Sequence, residues 1–183
     1  SKASTIKYLN SSKIKGIKPT NLDDVVLAEG LSYKILISWK DKINKNELFG
    51  FNNDYIAFIP GNNNKEGYLW VNHEYIDPLF FSNKPNDLKT VDDVKEEMRN
   101  VGGSFFKVNQ KSSKWIIDLK NKFNQRVDAL DKIDFDNNIN IKGSLSAIGT
   151  LANCSGGVTP WRTILTCEEN YDMFYGERDL NDG

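Results

Sequence analysis

Residues 55–71 read YIAFIPGNNNKEGYLWV: two short runs rich in aromatic and β-branched residues, Tyr55–Ile59 and Tyr68–Val71, around a stretch of Pro, Gly and Asn. Residues that suit a pleated surface flank residues that supply turn conformations, and that pattern predicts an antiparallel hairpin. The same signature recurs on both sides. Upstream, Tyr33–Trp39 (YKILISW) reads as the first strand. Downstream, Ser104–Val108 (SFFKV) and Lys114–Leu119 (KWIIDL) flank NQKSS as a second hairpin, and Asn137–Lys142 is a polar connector. A last strand pair is predicted at Ala147–Leu151 (AIGTL) and Thr163–Thr166 (TILT), with NCSGGVTPWR as a long glycine-containing loop between them. One helix interrupts the series, with Thr90 as N-cap, Asp93 in the capping-box position and Val91, Val94 and Met98 on one face; it ends near Asn100, before Gly102 and Gly103. The expectation is a mainly β fold with minor α, rich in loops.

Composition narrows what such a fold can do. The chain has 183 residues, 39% of them hydrophobic, which is enough to bury the core of one medium domain and excludes a disordered or low-complexity chain. With 24 basic and 25 acidic side chains, a net charge of -1 provides no basic field for nucleic acid or an anionic membrane surface. No run approaches the roughly 20 apolar residues of a membrane span, so no membrane-spanning segment is expected. The start, SKASTIKYLNSSKIKG, lacks the apolar stretch of a signal peptide; an exported protein would already have lost it. Residues 1–24 read as an extended N-terminal arm and 25–183 as the body. A single histidine, His73, excludes a multi-His zinc site, and two cysteines are too few for a disulfide scaffold. Metal chemistry here rests mainly on oxygen.

Three polar groups stand out. Asn72, His73 and Glu74 follow an apolar strand, and alternation places Asn72 and Glu74 on one face with His73 on the other. An amide oxygen beside a carboxylate suits calcium, although a polar strand end that caps a turn has the same composition, and a lone histidine reads as structural. Cys154 opens a loop with Ser155, Gly156 and Gly157, where a thiolate would favour a softer metal such as iron; a disulfide to Cys167 is the alternative. Glu168 and Glu169 end the TILT strand and point in different directions, so only one faces a given site. A plain AIGTL–TILT hairpin would start Cys154 and Glu169 from opposite ends, about 15 Å apart at roughly 3.3 Å per residue. Either the loop folds back or the two serve different metals.

GYLWVNHEY (residues 67–75), followed some 80 residues later by GTLANCSGGVTPWRTILTCEEN (149–170), resembles the PhoX family of alkaline phosphatases, and FGFNNDYIAFIP (49–60) is similar to the family's pattern as well. The likeness runs in order from Val25 to Tyr175. It implies an exported, periplasmic or secreted phosphomonoesterase with a β-propeller core and a cluster of ferric iron and calcium, acting on phosphate monoesters. By motif position, Cys154 would be the thiolate ligand to iron, and Glu74 and Glu169, the latter preferred to Glu168, would supply carboxylates. Asn72 and Asn153 would line the pocket. Arg162 departs from the glycine of many relatives and would approach phosphate or sit at the surface. Family members are several hundred residues long, so the resemblance makes this chain an incomplete portion of the propeller, ending in the loop GERDLNDG, inactive until the remainder of the polypeptide completes the ring. A non-catalytic, β-rich calcium-binding or surface-binding module is the alternative reading.

Overall fold

The computed structural model describes residues 14–170. The beginning of the expected arm, residues 1–13, and the closing GERDLNDG loop lie outside the described residues. The chain divides into two units, Ser1–Ile35 and Leu36–Gly183. In the first, the described residues form neither helix nor strand, and a turn at Gly30 (φ 85°) is closed by Leu31 N–H donating to Ala28 O at 3.1 Å.

The second unit is built on an antiparallel sheet. Strands β1 (Asn53–Pro60), β2 (Glu66–His73), β3 (Gly102–Lys111) and β4 (Lys114–Ile117) lie in that order, and β5 (Gln125–Val127) also pairs with β3. Both predicted hairpins are present; β1, β2 and β3 are longer than the runs that announced them, whereas β4 stops at Ile117, two residues short of the predicted Leu119. The register opposes Leu69 to Phe106 and Val71 to Ser104, so one face of β2 and β3 presents Val71, Phe106 and Val108 to Ile43 and Phe49 in a buried core. His73 lies on this core face and is fully buried, while Asn72 points the other way, as alternation requires.

Helix α1 (Val91–Asn100) starts at Thr90 with the expected reciprocal capping box to Asp93. Its anticipated apolar face is only partly used. Met98 packs against a second small core of Val101, Ala129 and Leu151, whereas Val91 and Val94 are exposed.

Two expectations are corrected. No strand forms at Tyr33–Trp39. Within the second unit, Leu36 and Ile37 reach the core without a ladder, and Trp39 enters an aromatic group with Phe51, Phe80 and Phe81 while its Nε1–H donates to Asn100 Oδ1 at 2.8 Å. Burial and side-chain bonding there take the place of strand pairing.

The last hairpin is also shifted. The segment read as a loop is itself strand β8 (Asn153–Val158), paired with β9 (Ile164–Glu168) through a turn at residues 159–163. The AIGTL segment contributes only β7 (Ser146–Ile148), which pairs with β6 (Lys132–Asp134). Small residues hide β8 from a reading of apolar alternation, but they serve packing: a Cβ on Gly156 would sit 2.3 Å from the Tyr55 ring. Among the described residues the fold is therefore mainly β with one α-helix.

Candidate metal centre

The shifted hairpin removes the separation that the sequence implied. Asn153 pairs with Glu168, and the Glu169 N–H donates to Ala152 O at 2.9 Å, so β8 begins where β9 ends and Cys154 lies beside Glu169. The β1–β2 hairpin has a comparable open end. Asn53 pairs with His73, and the Glu74 N–H donates to Asn52 O at 3.0 Å, which sets Asp54 beside Glu74. The two open ends meet.

One ligand atom each from Asp54, Glu74 and Cys154 lies within 4.8 Å of the others, and Cys154 Sγ–H donates to Asp54 Oδ2 at 3.5 Å. Oxygen ligands held roughly 2.3–2.6 Å from a shared cation are separated by at most about 5 Å, so three such atoms can share one ion. Protonation behaviour reports the crowding. The Glu169 carboxylate that accepts from Cys154, then burial, then Asp54, push the thiol up to about 12. Burial first, and then the charges of Asp54 and Glu169, raise Glu74 above the usual carboxylate range. Every neighbour that raises these two groups is a carboxylate, only the Cys154 thiol pulling Glu74 the other way, and none of the ion pairs among the described residues involves them. A cation would replace that repulsion with attraction. The donor set, one sulfur among several carboxylate oxygens, fits iron on the sulfur side and either iron or calcium on the oxygens.

The other sequence candidates have different places. Asn72 is fully buried and its amide is spent: Nδ2 donates to Cys154 O (2.7 Å) and Ser155 O (3.3 Å), and Oδ1 accepts from Trp70 Nε1–H (2.6 Å) and Thr166 Oγ1–H (2.8 Å). Asn153, also fully buried, donates to Thr166 Oγ1 and accepts from Thr150 Oγ1–H. The Asn72 amide staples β8 and β9 to the sheet, and the Asn153 amide ties β8 to β9 and to the segment before it. Glu168 accepts from the Leu151 N–H at 2.8 Å, turned away from the thiol that Glu169 meets. Arg162 sits in the β8–β9 turn with φ 70°, at the far end of the hairpin from Asn153 and Glu168. Cys154 and Cys167 are both free, so the alternative disulfide is not formed.

Asp54 was not singled out in the sequence, although it lies inside FGFNNDYIAFIP. The signal was topological: an antiparallel hairpin sets the residue that opens β1 beside the residue that leaves β2. Behind these ligand candidates lies His73, with Nδ1 bonded to Phe51 O at 3.0 Å and Nε2 to Ser104 Oγ at 2.8 Å. Burial, and then the nearby Arg126 guanidinium, lower its pKa to about 3, so the ring is neutral and both nitrogens are engaged away from the cluster.

A sequence profile of the family described as Alkaline phosphatase PhoX matches residues 12–182. No curated protein sequence matches the chain. Among solved structures the fold is similar to Pseudomonas fluorescens PhoX in complex with vanadate, a transition state analogue, with a TM-score of 0.71 and 23% identity over 85% of this chain. The match covers 31% of that protein's length. A profile that spans nearly the whole chain, on a fold shared with a solved PhoX, carries the conclusion: this chain belongs to the PhoX alkaline phosphatase family.

Proposed function

We propose that the chain supplies one wall of the metal centre of a phosphomonoesterase that the rest of the polypeptide completes. The observation that carries this reading is the meeting of Asp54, Glu74 and Cys154 within 4.8 Å, with Glu169 beside the thiol. Cys154 would hold iron through its sulfur, and Glu74, Glu169 and Asp54 would hold iron or calcium through their carboxylate oxygens. Bound there, iron and calcium supply a Lewis-acid surface that grips phosphoryl oxygens and stabilises the charge developing in the transition state.

The chain's own residues do the positioning. Cys154 must lose its proton to act as a ligand, and the carboxylate of Asp54, its hydrogen-bond partner, is the first acceptor, with Glu169 beside it. Asn72 and Asn153 fix the backbone that presents the thiol. The propeller, the periplasmic or secreted location and inactivity of this portion alone belong to the same proposal. Exposed apolar side chains such as Trp161 (76% exposed), Ile148 and Leu165 support the view that further polypeptide packs on this one.

The test uses the complete polypeptide loaded with iron and calcium. Hydrolysis of p-nitrophenyl phosphate, with both metals present by elemental analysis and iron lost in Cys154→Ser, is expected. Calcium alone with no hydrolysis would leave a non-catalytic calcium-binding module instead.

A further inference from the structure

We propose that His73 is a positioning residue for Asp54: by donating from Nδ1 to the Phe51 carbonyl, it fixes the left-handed turn at Asn52 that carries Asp54 to Glu74 and Cys154. The inference rests on the metal-centre reading above and deepens it. The Phe51 carbonyl only accepts, so Nδ1 carries the proton and the other nitrogen accepts from Ser104 Oγ–H. Ser104 in turn receives Arg126 Nη1–H at 3.5 Å, and Arg126 Nη2 is anchored on the carbonyls of Arg99 (3.0 Å) and Val101 (2.6 Å). The imidazole is thus held at both nitrogens while it meets Phe49 edge-on at 4.7 Å.

The backbone over this ring has few alternatives. Gly50 lies so close that a Cβ would stand 2.7 Å from ring atoms of His73. Phe51 N–H donates to Asn100 O at 3.0 Å, Asn52 adopts φ 46°, and Asn52 O then receives the Glu74 N–H. A left-handed non-glycine residue costs energy unless its surroundings hold it, and here the bonds to Phe51 and Asn52 do so. Immediately afterwards the β1–β2 register is interrupted between Asn53 and Ile56, where Asp54 leaves toward the cluster. Asp54 is exposed, so its direction comes from this turn rather than from packing of its own side chain.

Asparagine at position 73 offers an amide N–H near the place of Nδ1, and glutamine offers one near Nε2. Calcium and iron contents and calcium affinity, measured on the complete polypeptide with fold checked by near-ultraviolet circular dichroism, distinguish the roles. His73→Gln is expected to weaken metal binding roughly tenfold or more, His73→Asn to recover most of that, and His73→Gln to add nothing on an Asp54→Asn background. Equal losses in the asparagine and glutamine variants, or losses that add to that of Asp54→Asn, overturn the positioning role and leave the metal centre standing. Ser104→Ala removes one of the two bonds that hold the imidazole and decides the matter if the His73 variants do not fold: weaker metal binding that adds nothing on the Asp54→Asn background supports the role, and unchanged metal binding in a folded protein overturns it. A wild-type protein that takes up neither metal overturns both readings.

Discussion

The sheet of β1–β5 and the β8–β9 hairpin meet at the candidate metal centre, yet they are held by different forces. The sheet closes on an apolar core, with Ile43, Phe49, Val71, Phe106 and Val108 each at most 3% exposed. The hairpin is mostly exposed along β9 and is fastened by amides and hydroxyls: Asn72 to the Cys154 and Ser155 carbonyls, Thr166 to Asn72 and Asn153, and Glu168 to the Leu151 N–H. Apolar packing is tolerant of small shifts in direction, whereas hydrogen bonds fix orientation. The half that must aim a thiol is built from the directional kind.

The largest expected effect lies on the core side. His73 stays neutral in the folded protein down to about pH 3, whereas an unfolded histidine protonates near 6.5. Its folded pKa is depressed, so the unfolded state takes up the proton first and stability falls as pH drops from about 6.5 to about 3. The full loss is on the order of 5 kcal/mol. Denaturant titrations at several pH values check this, and a folded His73→Asn should lose that part of the slope. A stability that is flat across this window would mean that the ring is not buried neutral.

Phe106→Ala comes next, at about 3–5 kcal/mol for a fully buried ring. Chemical denaturation reads it, and metal content of the surviving folded fraction should be unchanged. Asn72→Ala is expected to cost about 2–4 kcal/mol, because Trp70 Nε1–H and Thr166 Oγ1–H lose their acceptor. Here the comparison sharpens: the smaller loss of stability should bring the larger loss of iron, because Cys154 is no longer aimed. If Phe106→Ala and Asn72→Ala deplete iron equally per folded molecule, the division of labour fails. The smallest effect is the control, Thr90→Ala, which removes the α1 cap for about 1 kcal/mol and should leave metal content untouched.

How much of this was legible in the sequence follows the same division. The β1–β2 hairpin and the second hairpin announce themselves through apolar runs and turn chemistry, and the helix through its capping box rather than through burial. Strand β8 does not, because NCSGGV owes its place to small residues and polar bonds that no periodicity records. The false strand at Tyr33–Trp39 is the converse case: its residue types fit a sheet, but Leu36, Ile37 and Trp39 are satisfied by packing. For the site, Glu74, Cys154 and the preference for Glu169 over Glu168 rested on motif resemblance, and the structure brings these three together. Asn72 and Asn153 read as pocket residues by motif position, and Asn72 also because an amide beside a carboxylate suits a cation, but only the fold reveals that their amides are already bonded. Asp54 stayed hidden because its partner residues are 20 and 100 positions away in the chain.

Iron-edge X-ray absorption on the complete, metal-loaded polypeptide tests most directly whether these distant segments converge on one centre. A sulfur scatterer among oxygens in the first coordination sphere, lost in Cys154→Ser, is expected. An all-oxygen or nitrogen environment in the wild type, or a sulfur signal that survives Cys154→Ser, would contradict it.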